Sequence, residues 1–82
     1  MSYDKVKQAT LRRVGLKQTI KSIEQKEADE VIIAKDADPA IVNSLLDICQ
    51  KNHIPVTYVD SMRKLGKTCG IEVGAATVAL KK

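Results

Sequence analysis

Apolar positions along the chain alternate between two spacings. The run "EVIIA", residues 30–34, is nearly all apolar and suits a strand buried on both faces. "LRRV", "VTYV" and "AATVAL" are shorter runs of strand-forming character, the first ending at Gly15. Between them the spacing lengthens. In "LKQTIKSIEQK", Leu16, Ile20 and Ile23 fall on one side of a helix. In "DADPAIVNSLLDICQK", Ile41, Val42, Leu45, Leu46 and Cys49 form a helical stripe. Asp38 is placed to cap that helix, and Pro39 occupies its first turn, where a missing N–H costs little. Asn52 and His53 end it, and Pro55 prevents continuation. Asp60 or Ser61 caps "MRKLGKTC", and Gly70 suits the left-handed residue after it. Ser2 is placed to cap a first helix over about residues 3–9, and Lys81–Lys82 read as a frayed end. The order α-β-α-β-α-β-α-β predicts an α/β fold, a three-layer α-β-α sandwich around a mixed or parallel four-stranded sheet. Periodicity alone leaves the strand order open.

Eighty-two residues make one small domain spanning 1–82. The chain has no Phe or Trp, so Tyr3 and Tyr58 are its only aromatics and the core must be built from Ile, Val, Leu and Ala. Cys49 and Cys69 have neither redox nor zinc-ligand spacing and read as reduced thiols. The opening "MSYDKVKQAT" has no apolar signal core, and no apolar run approaches the roughly 20 residues that span a bilayer. A cytoplasmic protein with no membrane partner is expected.

The net charge is +4. Residues 1–26 carry seven basic side chains against two acids, residues 27–60 two against seven, and residues 61–82 five against one. If the fold brings the ends together, one face becomes a footprint for a polyanion. Ordinary solvated charge gives the same count.

Catalytic constellations are missing. His53 is the only histidine and stands at a helix end. "GIEVG" lacks the lysine–hydroxyl pair of a phosphate loop, and the two acids of "KDADP" are not followed by further carboxylates at calcium-ligand spacing. No enzymatic activity, metal or cofactor is expected.

"GLKQTIK", residues 15–21, is more informative. Gly15 ends a strand and would let another backbone come close. Lys17 and Gln18 fall in the first helical turn and Lys21 one turn on, sharing a polar face. Cations there oppose the positive end of the helix dipole, which an incoming anion would reverse. Gln can donate and accept at a base edge, and Lys can donate to guanine. A solvated helix start has the same pattern. In "CGIEVGAA", Ile71 and Val73 bracket Glu72. As a loop beside that helix start, the stretch would offer a small apolar shelf for unstacked bases, with Glu72 turned away or holding a basic side chain or backbone N–H.

The motifs "GLKQTIK", "AKDADP" and "LGKTCGIEVGAA", in this order and spacing, resemble the ribosomal protein L-seven-Ae family of kink-turn RNA binders, in its small bacterial YbxF-like branch. The resemblance runs over nearly the whole chain. It implies an α-β-α sandwich without catalysis, binding a kinked helix–bulge–helix with tandem sheared G·A pairs. Carried over, Lys17 and Gln18 would read the widened groove, with Lys21 one turn later and Gly15 giving close backbone approach. Ile71, Glu72 and Val73 would pack on bulged nucleotides. Lys35 and Asp36 would lie on a nearby sheet-edge loop with a weaker claim. Archaeal and eukaryotic members carry Asn-Glu where this chain has Lys17-Gln18, which implies less base discrimination and more salt dependence. The expected partner is structured RNA containing a kink-turn, in ribosomal RNA or an mRNA leader, with ribosome association and a monomeric protein. A protein-interaction module whose basic face meets an acidic partner is the alternative.

Overall fold

The computed structural model describes residues 2–81, with Ser2 described by its backbone alone. The elements are α1 (Ser2–Gln8), β1 (Leu11–Val14), α2 (Leu16–Glu24), β2 (Glu30–Ala34), α3 (Pro39–Lys51), β3 (Val56–Val59), α4 (Met62–Thr68) and β4 (Thr77–Lys81). The expected eight-element order is present. The Ser2 side-chain cap and Lys82 lie outside the described residues.

The strands order as β1-β4-β2-β3. β4 pairs antiparallel with both β1 and β2, while β2 pairs parallel with β3. The sheet is therefore mixed. Its faces are covered separately, because successive strand residues point to opposite sides. Ile32 and Ala34 of β2 join Val78 and Leu80 of β4 with Val6 of α1 and Leu65 of α4. Val31 and Ile33 face the other way, toward Ile23 of α2 and Leu45 and Cys49 of α3. All five residues of β2 are buried, which explains the unbroken apolar run.

Its one acid, Glu30, is only 6% exposed. Its Oε2 accepts from the Lys5 ammonium at 3.1 Å and from the Thr57 hydroxyl. A carboxylate this deep is tolerable only with such partners. Thr77, fully buried in β4, donates its hydroxyl to the Ile32 carbonyl at 2.8 Å.

The helix ends follow local chemistry. Asp38 accepts from the Ala40 N–H at 2.9 Å at the start of α3, and the Asn52 side chain donates to Ile48 O at its end. His53 then turns left-handed. Ser61 caps α4, accepting from the Lys64 N–H at 3.2 Å. Asp60 does not cap it; its carboxylate takes the Tyr3 hydroxyl at 2.5 Å. Gly70 has the expected left-handed backbone, with φ of 80°.

Several boundaries differ from expectation; α1 ends at Gln8 and α4 at Thr68, each one residue early. α2 stops at Glu24 because Lys26 turns left-handed and donates to Ile23 O. β4 begins at Thr77 rather than Ala75. Lys81 is not frayed, since it pairs with Leu11 across the sheet.

α4 and the loop after it are locked together by close backbone approach. A Cβ on Gly66 would stand 2.1 Å from the Val73 carbonyl oxygen. The Ile71 N–H donates to Gly66 O, and the Ala75 N–H to Met62 O, each at 3.0 Å. Helix propensity alone favours Ala over Gly by about 1 kcal/mol. Here the contact should reverse the sign: Gly66→Ala should lose about 1–3 kcal/mol in urea unfolding. A stabilised variant would mean that the 71–74 loop yields freely.

Candidate nucleic-acid interface

Strand direction determines what lies together. β1 and β2 both run opposite to β4, and β3 runs with β2, so β1, β2 and β3 end at the same pole of the sheet. The start of α2, the 35–38 loop, the start of α4 and the 70–76 loop all leave or enter there. Backbone hydrogen bonds join them. Gly15 N–H donates to Thr77 O at 3.0 Å, Ala34 N–H to Ala76 O at 2.9 Å and Lys35 N–H to Val59 O at 2.8 Å. Ends of strands at one pole are where open α/β sheets commonly take ligands.

Gly15 has φ of 99° and ψ of 162°, a conformation essentially restricted to glycine. No protein atom would come within 4 Å of a Cβ placed there. The residue is needed for its dihedral angles, and the space beside it is open to another backbone. Behind it α2 begins without any side-chain cap and without an acid in its first turn.

Lys17, Gln18 and Lys21 are all exposed. Among the described residues none of the three is in a side-chain hydrogen bond or ion pair. Gln18 and Lys21 line a cleft of about 190 Å³ with Arg13, Ser22 and Gln25. Lys17 is not part of that lining. Arg13, in the same cleft, is not among the residues the sequence motifs single out. The signal was present: Arg12 and Arg13 are successive in a strand, so one must go to each face. Arg12 goes to the α4 side, donating to Thr68 O at 3.3 Å.

Residues 71–76 form a loop, as required for an exposed apolar element. The two apolar side chains separate, however. Val73 is 71% exposed. Ile71 is half-buried and packs on the core cluster beneath α1 and α4, so it anchors the loop while Val73 makes its tip. Glu72 is exposed and, among the described residues, holds neither a basic side chain nor a backbone N–H.

Lys35 and Asp36 follow β2, an interior strand. They lie at the sheet's end rather than its edge. Lys35 is exposed, whereas the Asp36 carboxylate accepts from the Met62 N–H at 2.8 Å and so fixes the start of α4. Burial raises the Cys69 thiol pKa, with nearby Arg12 acting the other way. A thiol held protonated is a poor nucleophile.

The family model for the ribosomal protein L7Ae/L30e/S12e/Gadd45 family matches residues 3–82. The chain belongs to this family. Similar members include "RNA-binding protein BH0128" of Halalkalibacterium halodurans, 61% identical with all of both chains covered. "RNA-binding protein YbxF" of Geobacillus stearothermophilus is 51% identical, with 98% of both covered. Among solved structures the family fold recurs in the Giardia lamblia 15.5kD RNA binding protein, at TM-score 0.86 and 30% identity over 99% of this chain and 71% of that one. A protein of unknown function from Bacillus halodurans C matches at TM-score 0.80 and 27% identity, over 87% of this chain and 71% of that one.

Gly15→Ala isolates the backbone requirement, because the added methyl meets open space. It should destabilise the protein by about 1–3 kcal/mol, seen as a lower denaturant midpoint with an unchanged slope. No shift in the midpoint would show that the turn relaxes without cost.

Proposed function

We propose that this protein is a non-enzymatic RNA binder that recognises and stabilises kink-turns, acting as a cytoplasmic monomer on ribosomal RNA or a structured mRNA leader. One observation carries the reading. An uncapped, cationic helix start and an exposed apolar loop tip meet at one pole of the sheet, tied through Gly15 and the first residue of β4.

The chemistry follows from each part. The free N–H groups and dipole of α2 attract a phosphate. Lys17 and Lys21 add point charges, and Arg13 adds a planar fork that can hold phosphate or guanine through two bonds. Gln18 in the same cleft offers one neutral acceptor and two donors to a base edge. Val73 supplies an apolar surface that an unstacked base of a bulge can cover, which a continuous duplex cannot present. Lys35 stands at the same pole as a further cation. Asp36 acts at one remove, by placing α4. The names of the relatives, which describe RNA-binding proteins, support the partner class.

Binding to a labelled kink-turn RNA, beside a control whose G·A pairs are made Watson–Crick, tests the reading. Tighter binding to the intact kink-turn is expected. Equal, strongly salt-dependent binding would leave only a basic surface, and tight capture of an acidic protein without RNA binding would favour a protein-interaction module. Lys17→Ala with Lys21→Ala should flatten the slope of log affinity against log salt by about 2; an unchanged slope would remove this helix from the interface. Val73→Glu should weaken the kink-turn complex at least about tenfold more than a duplex complex. Equal losses would mean that Val73 touches no base.

A further inference from the structure

The opposite side of the sheet carries cations that this pole does not use. α1 and α4 leave between them a groove of about 330 Å³ lined by Tyr3, Lys7, Lys64, Lys67 and Thr68. Arg12 stands at its edge, donating to the Thr68 carbonyl. All three lysines are exposed. Lys64 has one long contact, 3.7 Å to Asp60. Among the described residues Lys7 and Lys67 are in no ion pair. The acids nearby are engaged: Asp60 holds the Tyr3 hydroxyl and Lys64, and Asp4 already has a partner. Three like charges on the walls of one groove repel one another unless an anion lies between them.

The form of the groove indicates which anion. Its positive groups are lysines, compact point charges that suit backbone phosphates and read no sequence. They are spread over two helices rather than gathered on one spot, which fits a row of charges better than a single ion. The groove reaches the pole at its Tyr3 end, because the Tyr3 hydroxyl donates to Asp60, which directly follows β3 there.

We propose that the α1–α4 groove holds the backbone phosphates of one helical arm of the bound RNA, extending the contact beyond the kink. This rests on the RNA-binding reading of the pole, and the test separates the two.

The variant is Lys7→Gln, Lys64→Gln and Lys67→Gln together, all exposed side chains whose loss leaves the core intact. It is compared with the unaltered protein on three RNAs: a kink-turn with short arms, and the same kink-turn with either arm lengthened by one helical turn. The unaltered protein should gain affinity and salt dependence when one particular arm is lengthened. The triple variant should bind the short RNA as before and lose that gain. At about 0.9 in log–log slope per contact, three contacts correspond to roughly a forty-fold smaller loss of affinity between about 50 and 200 mM salt. Equal weakening on all three RNAs, or no weakening on any, would overturn the proposal. So would poly-glutamate protecting the groove lysines from acetylation better than the long-armed RNA, which would assign the groove to an acidic protein. Absence of kink-turn preference in the unaltered protein would instead strike the reading of the pole.

Discussion

The position of β4 is the constraint on which the rest depends. The last strand of the chain enters between β1 and β2 and runs against both. Without it, β1 would have no partner in the sheet, and the helix after β1 would have no fixed relation to the helices after β2 and β3. With it, three strands end at one pole and β4, with the loop that leads into it, starts there. Thr77 sits at the junction. Its carbonyl accepts from the Gly15 N–H, and its hydroxyl donates to the Ile32 carbonyl on the neighbouring strand. One buried residue thereby ties the start of α2, the core strand β2 and the end of the 70–76 loop.

The pole must be rigid to present exposed groups usefully, because a small chain has little stability to spare for ordering them on binding. The loop gains rigidity from backbone rather than from large side chains. Gly66 lets the Val73 carbonyl come against the helix, Met62 O holds the Ala75 N–H, and Ile71 fills space above the core. Val73 can then be exposed without being loose. Asp36 works in the same sense from the other side, since its hold on the Met62 N–H fixes the helix from which the loop departs. A chain without Phe or Trp cannot build a broad aromatic platform; what it exposes at this pole is a single held aliphatic tip.

Much of this was legible in the sequence, and the failures have physical causes. The burial of β2 on both faces, the Asp38–Pro39 start of α3 and the left-handed Gly70 each depend on residues within a few positions, so local pattern sufficed. Strand order depends on pairings between residues far apart in the chain, from 25 positions for Val31 with Val56 to 46 for Ile32 with Val78 and 70 for Leu11 with Lys81, and no local pattern encodes them. Ile71 and Val73 looked equivalent because both are apolar and two residues apart, as on one face of a strand. They differ because the segment is a loop folded back on α4. Asp36 looked available because its partner, Met62, is twenty-six residues away. Arg13 could have been found, since alternation along "LRRV" already sends one arginine to each side.

The helix starts supply the remaining argument about charge. α1 has Asp4 in its first turn, α3 has Asp38 as its cap, and α4 has both Ser61 and the distant Asp36. α3 and α4 therefore meet N–H groups at their starts with oxygens supplied by the protein. α2 instead begins at a glycine, has no side-chain cap and places Lys17 in its first turn. Such a cation opposes the helix dipole at a cost of about 0.3–1 kcal/mol. The same fold thus answers the starts of α3 and α4 internally and leaves that of α2 without a cap, at the pole that carries Val73, the only large aliphatic side chain among the described residues that is predominantly exposed. Stability alone would favour an acid or a hydroxyl at that start, as at the others. A phosphate arriving from outside reverses the sign of that cost, and that makes the missing cap intelligible as part of a binding surface.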